Sequence, residues 1–203
     1  MTPAFDSIVD DLADKGFAIV DQFLSQKEVD DILTLPLFNE PAAFKKAGIG
    51  KNQEQHINEA IRGDHIQWID KLTAPAPIKV YTDRMHALIQ HLNQALFLSL
   101  KDFEMHVTRY TVGSYYKRHL DQFKKDDHRK ISVICYLNKE WVSDDGGQLR
   151  MFLPAITLNV LPTAGKLVCF RSDQIEHEVL PAARERLSLT GWILDQYADL
   201  RHL

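Results

Sequence analysis

Along the first hundred residues the apolar positions recur at helical spacing. Phe5, Ile8, Val9 and Leu12 fall on one face of a helix that Lys15-Gly16 closes, and Phe17–Val20 then reads as a short strand. Ser25-Gln26-Lys27-Glu28 has the serine and glutamate spacing of a capping box and opens a second helix through Val29, Ile32 and Leu33. Tyr81, Met85, Leu88, Ile89, Leu92 and Leu96 trace the longest apolar stripe and predict a third helix. Near residue 101 the period changes. Short β-branched and aromatic runs follow at Phe103–Thr111, Ile131–Leu137, Leu149–Leu153, Ile156–Val160, Lys166–Phe170, His177–Leu180 and Leu187–Leu194. Asp144-Asp145-Gly146-Gly147 and Pro162-Thr163-Ala164-Gly165 supply turns between them. Residues 41–63, polar and punctuated by glycine, read as a loop or lid.

Helices followed by short strands predict an α+β fold: a double-stranded β-helix, or jelly roll, with N-terminal helices packed on one side. The 203 residues suit one domain, with 1–101 as mainly helical support and entrance loop and 102–203 as the jelly-roll core. Hydrophobic residues make up 45% and charged residues 26%, a composition that buries a core without disulfides. Cys135 and Cys169 lie in apolar runs and are expected to be reduced core residues. The net charge of −4 lacks the basic excess of a nucleic-acid binder, and no apolar run is long enough to span a membrane. The N-terminal segment is acidic where a signal peptide is basic, so the expected location is cytoplasmic and the expected state a monomer.

His119-Leu120-Asp121 places an imidazole and a carboxylate two residues apart, on one face of an extended segment. Alone the triplet means little. A second isolated histidine, His177, opens a later strand, and two histidines with one carboxylate from neighbouring barrel strands form the facial triad of non-haem Fe(II) oxygenases. The same donor types also suit a catalytic zinc. Arg186 and Arg184 follow in the last strand region; spacing does not choose between them, but one buried guanidinium there matches the distal carboxylate of 2-oxoglutarate.

Several blocks occur in order: Tyr110, Tyr116-x-x-His119-x-Asp121, Ser132-x-x-x-Tyr136-Leu137-Asn138-x-x-Trp141, Gly146-Gly147-x-Leu149-Arg150, Pro162-x-x-Gly165-x-Leu167-Val168-x-Phe170, His177-Glu178-Val179-x-Pro181 and Arg186-x-Ser188-x-Thr190-x-Trp192. Together they resemble the prolyl 4-hydroxylase superfamily of Fe(II)/2-oxoglutarate dioxygenases. Ile61-Arg62-Gly63-Asp64-x-Ile66-x-Trp68 further resembles the oxygen-sensing branch, which acts on hypoxia-inducible factor, and its bacterial relatives. The resemblance implies Fe(II) held by His119, Asp121 and His177, with 2-oxoglutarate and O₂ as co-substrates and ascorbate as a stimulant. It selects Arg186 for the 2-oxoglutarate 5-carboxylate, with the Tyr136 hydroxyl beside it and Tyr110 and Thr190 lining that pocket. It assigns Trp68 and Trp192 to the peptide entrance, and Arg62, Asp64 and Arg129 to positioning a mobile loop and the target segment. The implied activity is 4-hydroxylation of a prolyl residue in a protein, with elongation factor Tu the first candidate target. The alternatives are the same chemistry on another residue or a small molecule, and a non-catalytic protein-binding module.

Overall fold

The computed structural model describes residues 5–38, 40, 44–48, 60–122 and 126–198. Among the described residues three α-helices, α1 (Phe5–Lys15), α2 (Gln26–Leu33) and α3 (Ala76–Leu96), accompany eleven strands. These are β1 (Phe17–Val20), β2 (Lys45–Lys46), β3 (His65–Trp68), β4 (Asp102–Tyr110), β5 (Tyr116–His119), β6 (Arg129–Tyr136), β7 (Leu149–Phe152), β8 (Thr157–Val160), β9 (Leu167–Arg171), β10 (Glu176–Val179) and β11 (Arg186–Leu194). They form a seven-stranded sheet in the order β1-β9-β6-β11-β4-β3-β2 and a four-stranded sheet in the order β5-β10-β7-β8. Every pairing between named strands is antiparallel. This is the expected α+β jelly roll.

The two-residue period of a strand builds two cores from one sheet. Met105, Val107, Val133, Cys135, Cys169, Leu189 and Ile193 face the helices, where Tyr81, Met85, Leu88 and Leu92 of α3 meet them. Tyr110, Ile134, Tyr136, Val168 and Phe170, alternating with that set, face the four-stranded sheet and its Leu149, Met151 and Val179. Because β6 and β9 are covered on both faces, their sequences run continuously apolar. Cys135 and Cys169 are buried free thiols, and burial raises both well above their ordinary value.

The capping box forms as its spacing predicts. The Glu28 amide donates to Ser25 Oγ at 3.3 Å, and the Ser25 amide donates to Glu28 Oε2 at 2.7 Å. Arg84 of α3 donates to the same carboxylate, which ties the second helix to the third. Both halves contain strands that periodicity did not reveal. β3 and β2 extend the large sheet past β4, and β5 begins the small one. Tyr-Lys-Arg-His carries no alternating apolar pattern and the alternation in His-Ile-Gln-Trp spans only four residues, so the edge of a neighbouring strand makes them strands. Of the stretch expected to be a loop or lid, residues 44–48 and 60–63 are described; Lys45–Lys46 pairs with β3, and Arg62 bridges to Tyr116. Its remainder lies outside the described residues, as do Lys124 and Lys125 of the segment before β6.

Burial raises the Glu28 carboxyl, but hydrogen bonds from Arg84 and Ser25 outweigh it and hold the group below its ordinary value of 4.5. Its stabilisation is therefore present above that value and is lost as pH falls through the lower, folded one. Glu28→Ala is expected to cost about 1–2 kcal/mol at neutral pH, read from the urea midpoint, and the gap to wild type should close in acid.

Candidate active site

The two histidines meet through strand register. β10 pairs with β5 so that His177 is the direct partner of His119, and their ring centroids lie 4.3 Å apart. Asp121, two residues beyond His119, brings its Oδ1 to 3.4 Å from His119 Nε2 and its Oδ2 to 3.7 Å from His177 Nε2. One ligand atom from each of the three lies within 4.8 Å of the others. An ion about 2 Å from two donors at a right angle holds them about 3 Å apart, so the cluster fits a metal with little adjustment.

The surrounding groups prepare those atoms. His119 Nδ1 lies 2.6 Å from the Lys117 carbonyl and His177 Nδ1 3.2 Å from the Ile175 carbonyl. A carbonyl only accepts, so each Nδ1 carries the proton and each Nε2 keeps its lone pair for a metal. Tyr116 stacks on His119 with centroids 3.5 Å apart, and Phe170 meets His177 edge-on. Ser132 Oγ donates to Asp121 Oδ2 at 2.6 Å and is itself 2.9 Å from Ser172 Oγ. Burial works to raise the Asp121 carboxyl, yet His177, His119 and Ser132 outweigh it and hold it well below the usual carboxylate range. Burial also lowers His177 to about 4 against the pull of Asp121, which leaves a neutral imidazole at pH 7.

A cleft of about 120 Å³ opens from this triad toward Arg186, which lines it with Tyr110, Thr190 and Leu149. Arg186 is 1% exposed. Its Nε donates to the Gly147 carbonyl at 2.9 Å, while its Nη2 and the Tyr136 hydroxyl are buried without a hydrogen-bond partner. The guanidinium carbon lies 5.0 Å from both the Tyr110 and Tyr136 ring centroids. Two orphaned donors beside a buried cation call for an anion with oxygen acceptors, and a carboxylate supplies both. Gly147 makes room for the arginine: it sits at φ +66°, and a Cβ there would meet Arg186 Cδ at 3.2 Å. Arg184, which spacing left equivalent, is elsewhere. It precedes β11, is 46% exposed, and interacts with Asp145 and the Trp141 ring.

The entrance residues form two locked pairs. Arg62 grips Asp64 through Nε–Oδ1 at 2.8 Å and Nη2–Oδ2 at 2.6 Å, and lies over the Tyr116 ring. Asp64 is 0% exposed at its side chain, so this expected substrate residue reaches a bound segment only through Arg62. Arg129 is bonded to Glu104 and stacks on Trp192, its guanidinium carbon 3.4 Å from the ring centroid. The ring centroids of Trp68 and Trp192 lie 6.4 Å apart, and His106 packs against both, at 5.0 and 5.5 Å. Ser172, Glu104, His106 and Thr108 carried no signal as single residues. His106 and Thr108 were readable only as the positions sharing a β4 face with Tyr110.

Residues 105–194 match the model of the 2OG-Fe(II) oxygenase superfamily. The crystal structure of a prolyl-4-hydroxylase from Pseudomonas putida is 42% identical with a TM-score of 0.85, covering 95% of this chain and 100% of that one. The chain belongs to this superfamily, among its prolyl hydroxylases. A prolyl hydroxylase from Trichoplax adhaerens, solved with a peptide fragment of the hypoxia-inducible factor oxygen degradation domain, is 29% identical with a TM-score of 0.83 over 94% of this chain and 89% of that one. Human Egl nine homolog 1 is 30% identical over 95% of this chain and 47% of its own length. The Caenorhabditis elegans hypoxia-inducible factor prolyl hydroxylase is 29% identical over 93% of this chain but 28% of its own length. The chain thus spans half or less of these two curated relatives. The superfamily works with Fe(II), 2-oxoglutarate and O₂, and the His119–Asp121–His177 cluster fits the iron.

Removing the Ser132 hydroxyl frees Asp121 to rotate. Ser132→Ala is expected to weaken metal binding roughly 10–100-fold in a Mn(II) titration, with the fold retained by circular dichroism.

Proposed function

We propose that this protein is an Fe(II)- and 2-oxoglutarate-dependent oxygenase that hydroxylates a prolyl residue, at its 4-position, within a protein substrate. The observation that carries the reading is the buried Arg186 with its unpartnered Nη2, set beside an unpartnered Tyr136 hydroxyl in the cleft that holds the His119–Asp121–His177 cluster. The 42% identity to a prolyl-4-hydroxylase along that protein's whole length supports the prolyl target. Elongation factor Tu is the target we put first, on the resemblance of the Ile61–Trp68 segment to bacterial relatives of the oxygen-sensing enzymes. The reading takes the whole chain as one catalytic unit; its two free buried thiols agree with a reducing cytoplasm.

In this reading His119, Asp121 and His177 hold Fe(II) through Nε2, a carboxylate oxygen and Nε2. Bound iron supplies O₂ activation coupled to oxidative decarboxylation of 2-oxoglutarate to succinate and CO₂. The chain supplies the rest. Arg186 and Tyr136 bind and orient the distal carboxylate. Leu149, Ile134 and Val179 exclude water along the cleft, and Tyr116 keeps the His119 ring from rotating. Trp68 and Trp192 present flat faces to the target, and Arg62 and Arg129, fixed by their carboxylate partners, shape the rim.

Incubation with Fe(II), 2-oxoglutarate and elongation factor Tu is expected to produce succinate and a prolyl mass gain of about 16 Da in the target. His177→Ala is expected to abolish both products, and full 2-oxoglutarate-dependent activity in that variant would remove the triad from the reading. Arg186→Ala is expected to raise the 2-oxoglutarate KM roughly 100-fold, the scale of losing a buried charge-paired hydrogen bond.

A further inference from the structure

The cleft contains a histidine that the chemistry above does not use. His106 is 2% exposed and lines the cleft at its entrance end, on β4. β3 sets Trp68 opposite it and β11 sets Thr190 opposite it on the other side. Its ring meets Trp68 edge-to-face at 5.0 Å and Trp192 at 5.5 Å. Nδ1 is taken up by Thr108, whose Oγ1 lies 3.0 Å away, so Nε2 is the ring nitrogen left for a ligand. Burial, reinforced by Arg62 and Arg129 and opposed by Asp64, lowers His106 to about 3, so the ring is neutral. A hydroxyl both donates and accepts, so this bond runs in the direction the ring tautomer sets; with Thr108 as the donor to Nδ1, the single ring proton falls on Nε2. A second donor is nearby: Trp192 Nε1 is buried without a partner, in a residue 9% exposed.

The composition of this end of the cleft points to a ligand. A prolyl residue has no amide hydrogen; it offers a carbonyl on either side and an apolar ring. A site reading it needs donors and flat aromatic faces and has no use for acceptors. The carboxylates lining the cleft are committed, Asp64 to Arg62 and Asp121 to its histidines and Ser132, while His106 and Trp192 bring donors to a cluster of three rings.

We infer that His106 Nε2–H, with Trp192 Nε1–H, binds a backbone carbonyl flanking the target prolyl residue, which makes His106 a specificity-determining residue of this chain. The inference rests on the proposed prolyl hydroxylation and adds a donor to it.

The test uses the iron-loaded protein, with elongation factor Tu as the probe, and two readouts. In ¹⁵N-labelled wild type, the His106 ring shifts should show the proton on Nε2; a proton on Nδ1 overturns the inference, and this readout needs no target. In kinetics, His106→Phe keeps an aromatic ring against the two indoles and removes both nitrogens. Its KM for elongation factor Tu is expected to rise about tenfold, with a smaller change in kcat, and His106→Gln should recover most of that loss. A His106→Phe protein whose KM for elongation factor Tu rises no more than its KM for 2-oxoglutarate overturns the inference, as does a His106→Gln protein no better than His106→Phe. Failure of wild type to hydroxylate elongation factor Tu ends that choice of target alone; the nitrogen shifts still decide the role of His106.

Discussion

The site depends on the pairing of β5 with β10. That short antiparallel contact sets His119 against His177, and the chain leaving β5 then has only two residues in which to deliver Asp121. Three groups that compete for protons are thereby crowded into a buried space, which costs free energy unless each is held in the form that a metal wants. Two backbone carbonyls fix the histidine tautomers and Ser132 fixes the carboxylate. A one-residue slip of β5 would turn His119 away from the cleft and leave Asp121 with half its partners.

The same logic governs the other end of the cleft. Arg186 is the first residue of β11, the central strand of the large sheet, and its side chain enters the interior where β4 and β6 also turn inward. A guanidinium with one satisfied nitrogen and one orphan, next to an orphaned phenol, is a poor arrangement for stability and a good one for an anion. Fold stability comes instead from the opposite face of the sheet, where the apolar cluster packs on the helices. One sheet thus separates two tasks by the alternation of its side chains.

Between the two ends, β4 carries Tyr110, Thr108 and His106 along one face, running from the arginine to the indole pair. Trp192 on β11 and Arg129 on β6 close the far end, the arginine stacked on the indole and tied to Glu104. Locking both entrance cations to carboxylates removes them as general anion traps. What remains at the mouth is aromatic surface with hydrogen-bond donors, which suits a proline-bearing chain better than a charged small molecule.

The sequence by itself determined the three helices, the change of period near residue 101 and most of the strands after it. These follow from local rules: apolar residues at helical spacing, a capping box, and runs bounded by glycine and proline turns. It also carried the ligand types, because His119-x-Asp121, His177 and the Arg186-x-Ser188-x-Thr190-x-Trp192 block are legible as written. Spacing alone left Arg184 and Arg186 equivalent; the resemblance of that block selected Arg186, and the tertiary structure supplies the physical reason, burial against Gly147 for Arg186 and exposure for Arg184. It alone made β2, β3 and β5 strands, since these segments of two to four residues pair only where another strand offers an edge. It alone gave Ser172, Glu104 and His106 their places. A hydrogen bond to a hydroxyl 40 residues away, an ion pair with an arginine 25 residues away, or a ring packed against indoles from two other strands leaves no local pattern, because such contacts are set by which strands become neighbours and in what register.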